Sequence, residues 1–119
     1  MAQQRFPIVK RGNTWRHRFT FELTGGITAC DMVMMWKRRK SDLDSEALVT
    51  IDDDLIGGIT KVSATEADFE VGAAVTATLQ GPLVGGIQFK LPNGDVIEIE
   101  EADLVSTIHL EGDVVRATP

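Results

Sequence analysis

Hydrophobic and polar residues alternate with period two along much of this chain, and that rhythm predicts β-structure. From Thr14 to Leu23, one face carries Trp15, His17, Phe19, Phe21 and Leu23, and the other carries Arg16, Arg18, Thr20 and Glu22. Successive side chains of a strand point to opposite faces, so this segment reads as a half-buried strand with one wet face. A helix would scatter the same residues around its circumference. Phe6-Pro7-Ile8-Val9-Lys10 reads as a short strand before it, with Pro7 placing it at an edge or a strand start. Arg11-Gly12-Asn13 is the intervening turn.

Beyond the paired glycines Gly25-Gly26, the stretch Ile27 to Trp36 is mostly apolar with weak alternation, as expected of a strand covered on both faces. Lys37-Arg38-Arg39-Lys40 and Ser41 to Ser45 read as a polar loop. Leu48 to Ile51 and Ile59 to Val62 are short strands, with Asp52-Asp53-Asp54 an exposed turn between them. Ser63 lies three residues before Glu66, the spacing of a capping box, so 63–69 is the one place where a short helical turn is expected. Strands follow over 73–80, 87–91, 96–100, 104–110 and 113–117, with Gly81 to Gly86 read as a turn. Asn93-Gly94 is the strongest hairpin signal, because this pair tolerates the positive φ angles of a type I′ turn. The sum predicts an all-β fold, an antiparallel β-sandwich or an open barrel. It forms a single domain over residues 1–119, with 1–10 as an interaction arm.

Composition narrows the class. At 119 residues and 43% hydrophobic content, the chain is long and apolar enough to bury one core without covalent staples. No apolar run approaches the ~20 residues of a membrane helix, and Met1 to Pro7 lacks the apolar region of a secretory signal. The single cysteine, Cys30, has no intrachain partner, so synthesis and folding in a cytoplasm are expected. The net charge of −6 hides an asymmetry. Residues 1–40 hold nine basic and two acidic side chains, a balance of +7, whereas residues 41–119 hold three and sixteen, a balance of −13. Cross-strand pairing of basic and acidic strands is one reading, and a basic face docking on an acidic face of a neighbouring copy is the other. The overall acidity argues against nucleic acid as a partner.

Catalytic and metal chemistry finds few candidates. His17 lies on the apolar face of its strand and reads as a packed imidazole, His109 is out of phase with Ile108 and Leu110 and reads as solvent-facing, and Cys30 reads as a small hydrophobe. No Gly-x-Ser-x-Gly elbow is present. A calcium loop starting at Asp52 would place Ile56 at position five and Ser63 at position twelve, where an oxygen ligand and a bidentate Glu are needed, so that match fails. The carboxylates Glu98, Glu100, Glu101 and Asp103 read as a solubilising wet face. The cluster Lys37 to Lys40 beside Trp36 is the one patch suited to an anionic surface. No catalytic, cofactor-binding or metal-ligating residues are therefore expected.

The two ends and the middle of the chain resemble a class of phage tail and baseplate domains, including the N-terminal domain of siphophage baseplate upper proteins. The opening, Ile8-Val9-Lys10-Arg11-Gly12-Asn13-Thr14-Trp15 leading into Phe19-Thr20-Phe21, is similar to that class's apolar strand and glycine turn before a long alternating strand. Phe89 to Val96 and Thr107 to Arg116 are similar to its closing hairpin and final stretch, and Gly58 to Thr65 to its middle strand and capped turn. The stretch Ala73 to Gly86 is longer than that pattern. The resemblance implies an immunoglobulin-like sandwich acting as a virion structural protein of the tail, baseplate or fibre-attachment region. It would be located in the virion, be present in several copies, and have other virion proteins as partners. A capsid decoration protein and a carbohydrate- or small-ligand-binding β-module are the alternatives. The expected interface residues are Phe6, Ile8, Arg16, Arg18, Trp36, Lys37, Arg38 and Arg39.

Overall fold

Twelve short strands build the protein in a computed structural model that describes residues 3–100 and 103–111. In chain order they are β1 (Gln4–Arg5), β2 (Val9–Lys10), β3 (Trp15–Thr20), β4 (Asp31–Lys37), β5 (Val49–Asp52), β6 (Ile59–Lys61), β7 (Glu66–Val71), β8 (Leu83–Lys90), β9 (Val96–Glu98), β10 (Leu104–Val105), β11 (Thr107–Ile108) and β12 (Leu110–Glu111). One antiparallel sheet has the order β11-β8-β4-β5, with β9 also pairing with β8, and a second has the order β3-β7-β6. Two parallel ribbons, β1 with β10 and β2 with β12, complete the pairing. No barrel closes. The fold is all-β, with two sheets enclosing one hydrophobic core in the manner of a sandwich.

The core is the inward half of each alternating strand. Trp15 and Phe19 of β3 and Ala67, Phe69 and Val71 of β7 face Met32, Met34 and Trp36 of β4 and Leu83, Ile87 and Phe89 of β8. Aromatic rings meet edge to face at its centre, Phe19 against Phe69 at 5.1 Å and Trp15 against Trp36 at 5.0 Å. Strand β4 alternates more cleanly than its composition suggests. Its even residues are buried, whereas Val33, Met35 and Lys37 are only partly covered.

Several expectations need correction. Residues 63–69 form no helix. Ser63 Oγ does accept a bond from the Glu66 N–H at 3.2 Å, so the capping contact exists, but it closes the turn between β6 and β7. The period-two burial of Ala67, Phe69 and Val71 then requires a strand. The one α-helical turn among the described residues, α1 (Ala73–Thr76), falls where a strand was expected. It sets Thr76, the one buried polar residue among those described, beneath the Gly12–Asn13 turn. There Thr76 Oγ1 donates to the Asn13 carbonyl at 2.7 Å and accepts from the Gly12 N–H at 3.1 Å. A short 3-10 turn at Asp44–Glu46 was also unforeseen.

Gly85 and Gly86 lie inside β8 and not in a turn. A Cβ on Gly85 would stand 2.7 Å from the Phe6 ring and 2.8 Å from Ile108, so glycine serves there for close packing. The Asn93-Gly94 hairpin between β8 and β9 is present, but only Gly94 takes a positive φ, +93°. A two-residue loop would need an N–H from Pro92, which has none. Leu91 donates to Asp95 at 2.8 Å and closes a three-residue loop instead.

Residues 4–10 are not an arm free to reach a neighbour. Gln4 pairs with Leu104 and Val9 with Leu110, while Phe6 and Val9 sit in the core. The Gln4 side-chain amide also bonds both the N–H and the carbonyl of Thr20, closing that end of the β3 edge. The strand expected over 113–117, and the end of the stretch Thr107 to Arg116, lie outside the described residues.

Candidate interaction surface

Because strands alternate, burying Met34 and Ile87 inside the sandwich turns Met35, Val33, Val84 and Gly86 outward on the other face of the same sheet. Gly86 carries no side chain, and a Cβ placed there would meet nothing within 4 Å. The result is a groove of about 550 Å³ along β4 and β8. Its floor is Val33, Met35, Val84 and Gly86, and Ile99 and Leu104 wall one side. Lys37, Lys40 and Asp44 stand at one end, and Glu98 and Glu100 along the β9 edge. The rim is ordered by its own pairs: Lys37 Nζ donates to Asp44 Oδ1 at 2.7 Å and to the Asp42 carbonyl at 3.0 Å, and Gln88 Nε2 to Glu98 Oε1 at 2.7 Å.

A second surface feature is the loop between β5 and β6. Asp52 Oδ1 accepts hydrogen bonds from the N–H groups of Asp54, Ile56 and Gly57 at 3.0, 2.9 and 2.9 Å. Burial pushes the Asp52 carboxyl up, but these three bonds outweigh it and hold the group below the usual carboxylate range. Asp53 turns inward, accepting from the Met32 N–H at 3.1 Å and pairing with Lys61 Nζ at 2.8 Å. Lys61 reaches on to the carbonyls of Thr28 and Cys30. The acidic run is therefore a loop-building device. At its tip it leaves Leu55 92% and Ile56 62% exposed.

The expected interface residues divide three ways. Phe6 and Trp36 are core residues, 5% and 0% exposed, and are removed from the surface. Trp36 precedes the basic run, but as an even residue of β4 it points inward, where it meets Trp15 and Phe6. Phe6 fills the space that Gly85 leaves open. Arg16 and Arg18 are exposed and engaged across the strand pair, Arg16 with Glu70 and Arg18 with Asp68 at 2.6 and 3.0 Å. The hydrogen bond with Asp68, and then its charge, raise the Arg18 pKa, while Asp68 is lowered by the same bond. Across β3 and β7, therefore, basic and acidic side chains pair within one chain. Ile8 (53%), Arg38 and Arg39 remain at the surface, and Lys37 borders the groove.

His17 packs edge-on against Phe19 at 4.5 Å, and burial lowers its pKa, favouring the neutral ring. His109 is exposed and Cys30 is buried. Among the described residues, no three His, Cys, Asp or Glu side chains cluster to hold a metal ion, and no helix is long and apolar enough to cross a membrane. The groove and the loop tip were both missed in the sequence. The signal for the tip was present, since Leu55-Ile56 places two adjacent aliphatics in a turn between Asp52-Asp53-Asp54 and Gly57-Gly58, where solvent was expected. In comparisons with known proteins, the chain matches no family model, no curated protein and no solved structure.

Proposed function

We propose that this chain is a bacteriophage virion structural protein of the tail, baseplate or fibre-attachment region, present in several copies and acting through protein–protein contacts. The observation that carries the reading is the groove on the outer face of the β4–β8 sheet. Val33, Met35 and Val84 form an apolar floor inside a charged rim, the composition of a protein-binding patch with a desolvated centre. The strands beneath are rigidly paired from Asp31–Lys90 to Lys37–Val84, so the patch is held in shape before a partner arrives. The similarity of Ile8 to Trp15 and Phe89 to Val96 to phage tail domains supplies the biological setting.

The test is to purify particles from the host that encodes the chain and to quantify it against the major virion proteins by mass spectrometry, with immunogold labelling for position. Several copies per particle at the tail are expected. Its absence from intact particles overturns the proposal, and label over the head moves the protein to capsid decoration. The size of the groove favours one other reading. At about 550 Å³ it falls among small-molecule sites, as a ligand-binding β-module requires. Calorimetric titration with amphipathic small molecules and oligosaccharides separates the two, because saturable binding with one-to-one stoichiometry supports the ligand module.

A further inference from the structure

The geometry points to a head-to-tail contact between copies of this chain, in which the Leu55–Ile56 tip of one copy seats in the β4–β8 groove of the next. This rests on the reading of the protein as a multi-copy structural component, and it names the partner of the groove.

The chain carries both halves of such a joint. Leu55 and Ile56 are adjacent large aliphatic side chains held out in water. An exposed apolar pair on an ordered support marks an interaction site more strongly than scattered surface leucines do. The support is ordered here: the Asp52 carboxylate pins three donors of the loop, Asp52 N–H returns to the Gly57 carbonyl at 3.0 Å, and Asp53 is tied to Lys61. A tip already held in shape loses little conformational freedom on docking. Its complement is an apolar floor made vacant at Gly86.

Position decides that the contact lies between molecules. Val33 pairs with Asp52, so β5 leaves the sheet at the Asp31 end of β4 and the tip lies beyond that end. The basic turn from Lys37 to Lys40, which borders the groove, is at the opposite end of the same strand. Leu55 is 92% exposed, and neither tip residue lines the groove of its own copy. Charge is complementary at the basic end of the groove, away from Glu98 on its rim. Exposed Asp54 adjoins the tip, and exposed Arg38 and Arg39 occupy the basic turn at the groove's end. Tip and groove are different surfaces, so the joint is heterologous. Repetition then gives a ring if the rotation closes and a filament if it does not.

Sedimentation velocity over a concentration series tests this with wild type and two variants. Leu55→Asp combined with Ile56→Asp removes the tip at positions that contact solvent. Gly86→Phe fills the groove from a position where a side chain meets nothing. Wild type is expected to grow in mass with concentration, and each variant alone to associate at least about thirtyfold more weakly, as loss of a hot-spot residue does. An equimolar mixture of the two variants is expected to form dimers and stop. One variant keeps an intact groove and the other an intact tip, so a single productive joint remains. A monomeric wild type at about 1 mM, a concentration that detects even a very weak contact, overturns the inference. So does a mixture that stays monomeric while wild type associates, or a tip variant that associates as wild type does. Circular dichroism of each variant confirms the fold, and a variant that fails this check is replaced by Ile56→Ser or Gly86→Leu. Recovery of the chain in purified particles despite a monomeric wild type would leave the virion role standing and remove only this joint.

Discussion

Gly85 and Gly86 are adjacent in β8, and the same added methyl group should have opposite consequences at the two positions. An alanine Cβ at Gly85 would lie 2.7 Å from two carbons of the Phe6 ring and 2.8 Å from the Ile108 terminal methyl. Carbon atoms in contact are comfortable near 3.5–4.0 Å, so Phe6 and Ile108 must both give way by almost an ångström. Both are buried, Phe6 among Trp15, Phe19 and Trp36. Overpacking of this kind costs about 1–3 kcal/mol. At Gly86 the added Cβ meets nothing and the backbone is in no left-handed conformation. The reduced freedom of the unfolded chain should stabilise that variant by about 0.4–1 kcal/mol. The two substitutions should therefore differ by roughly 1.5–4 kcal/mol. Urea denaturation followed by tryptophan fluorescence measures the difference directly, since Trp15 and Trp36 are both buried. The Phe6→Leu background supplies a control. With the ring gone, Gly85→Ala should cost measurably less, a coupling expected of residues in contact. Equal destabilisation by both alanines, or no coupling to Phe6, would refute the packing assigned to this strand.

Three further outcomes rest on individual contacts. Thr76→Val should cost about 1–3 kcal/mol by chemical denaturation, because the Gly12 N–H and the Asn13 carbonyl lose a buried partner; a cost below about 0.5 kcal/mol, the range of ordinary surface changes, would show that the hydroxyl is dispensable. Asp52 has a depressed folded pKa, so its contribution is fully present above the unfolded carboxyl value of about 3.9 and is lost as pH falls through the folded value. Asp52→Asn should accordingly flatten the acid limb of a stability–pH curve below about pH 4, and should speed amide exchange at Ile56 and Gly57, read by NMR; unchanged exchange there would contradict the pinned loop. Arg18→Gln should leave the thermal midpoint within error, since the Arg18–Asp68 pair is open to water on both sides; a large drop would mean that this pair supports the sheet.

Strands with one wet face were readable in the sequence, because Trp15 to Thr20 announces both its conformation and its buried side through alternation. Where alternation conflicted with a residue's reputation, the reputation misled. The paired glycines of β8 suggest a turn, yet the close approach of Phe6 from β1's side of the chain makes glycine a packing requirement in mid-strand. Such an approach involves residues far apart in sequence and leaves no local trace. Ser63 and Glu66 have the spacing of a helix start, and the hydrogen bond forms, but tertiary burial of Phe69 makes the next residues a strand. The groove was illegible for a related reason. Val33 and Met35 differ little in character from Met32 and Met34, and only the other sheet's position determines which pair faces inward. Phe6 was placed at the surface as part of an N-terminal arm and Trp36 because of its basic neighbours, although bulk suits both to the core.

The two parallel ribbons bear on how this polypeptide reaches its native state as it emerges from the ribosome. Gln4 waits for Leu104, and Val9 for Leu110, so these ribbons cannot form until nearly all of the described chain has been synthesised. Pairings between such distant positions are slow to form because a long loop must be closed first. Until then Phe6 and Val9 are uncovered beside the exposed backbone of β3, a state prone to capture by chaperones or by another nascent chain. Slowing translation over the codons for Leu104 to Glu111 should therefore lower the soluble yield, whereas slowing it over those for Gln4 to Lys10 should not.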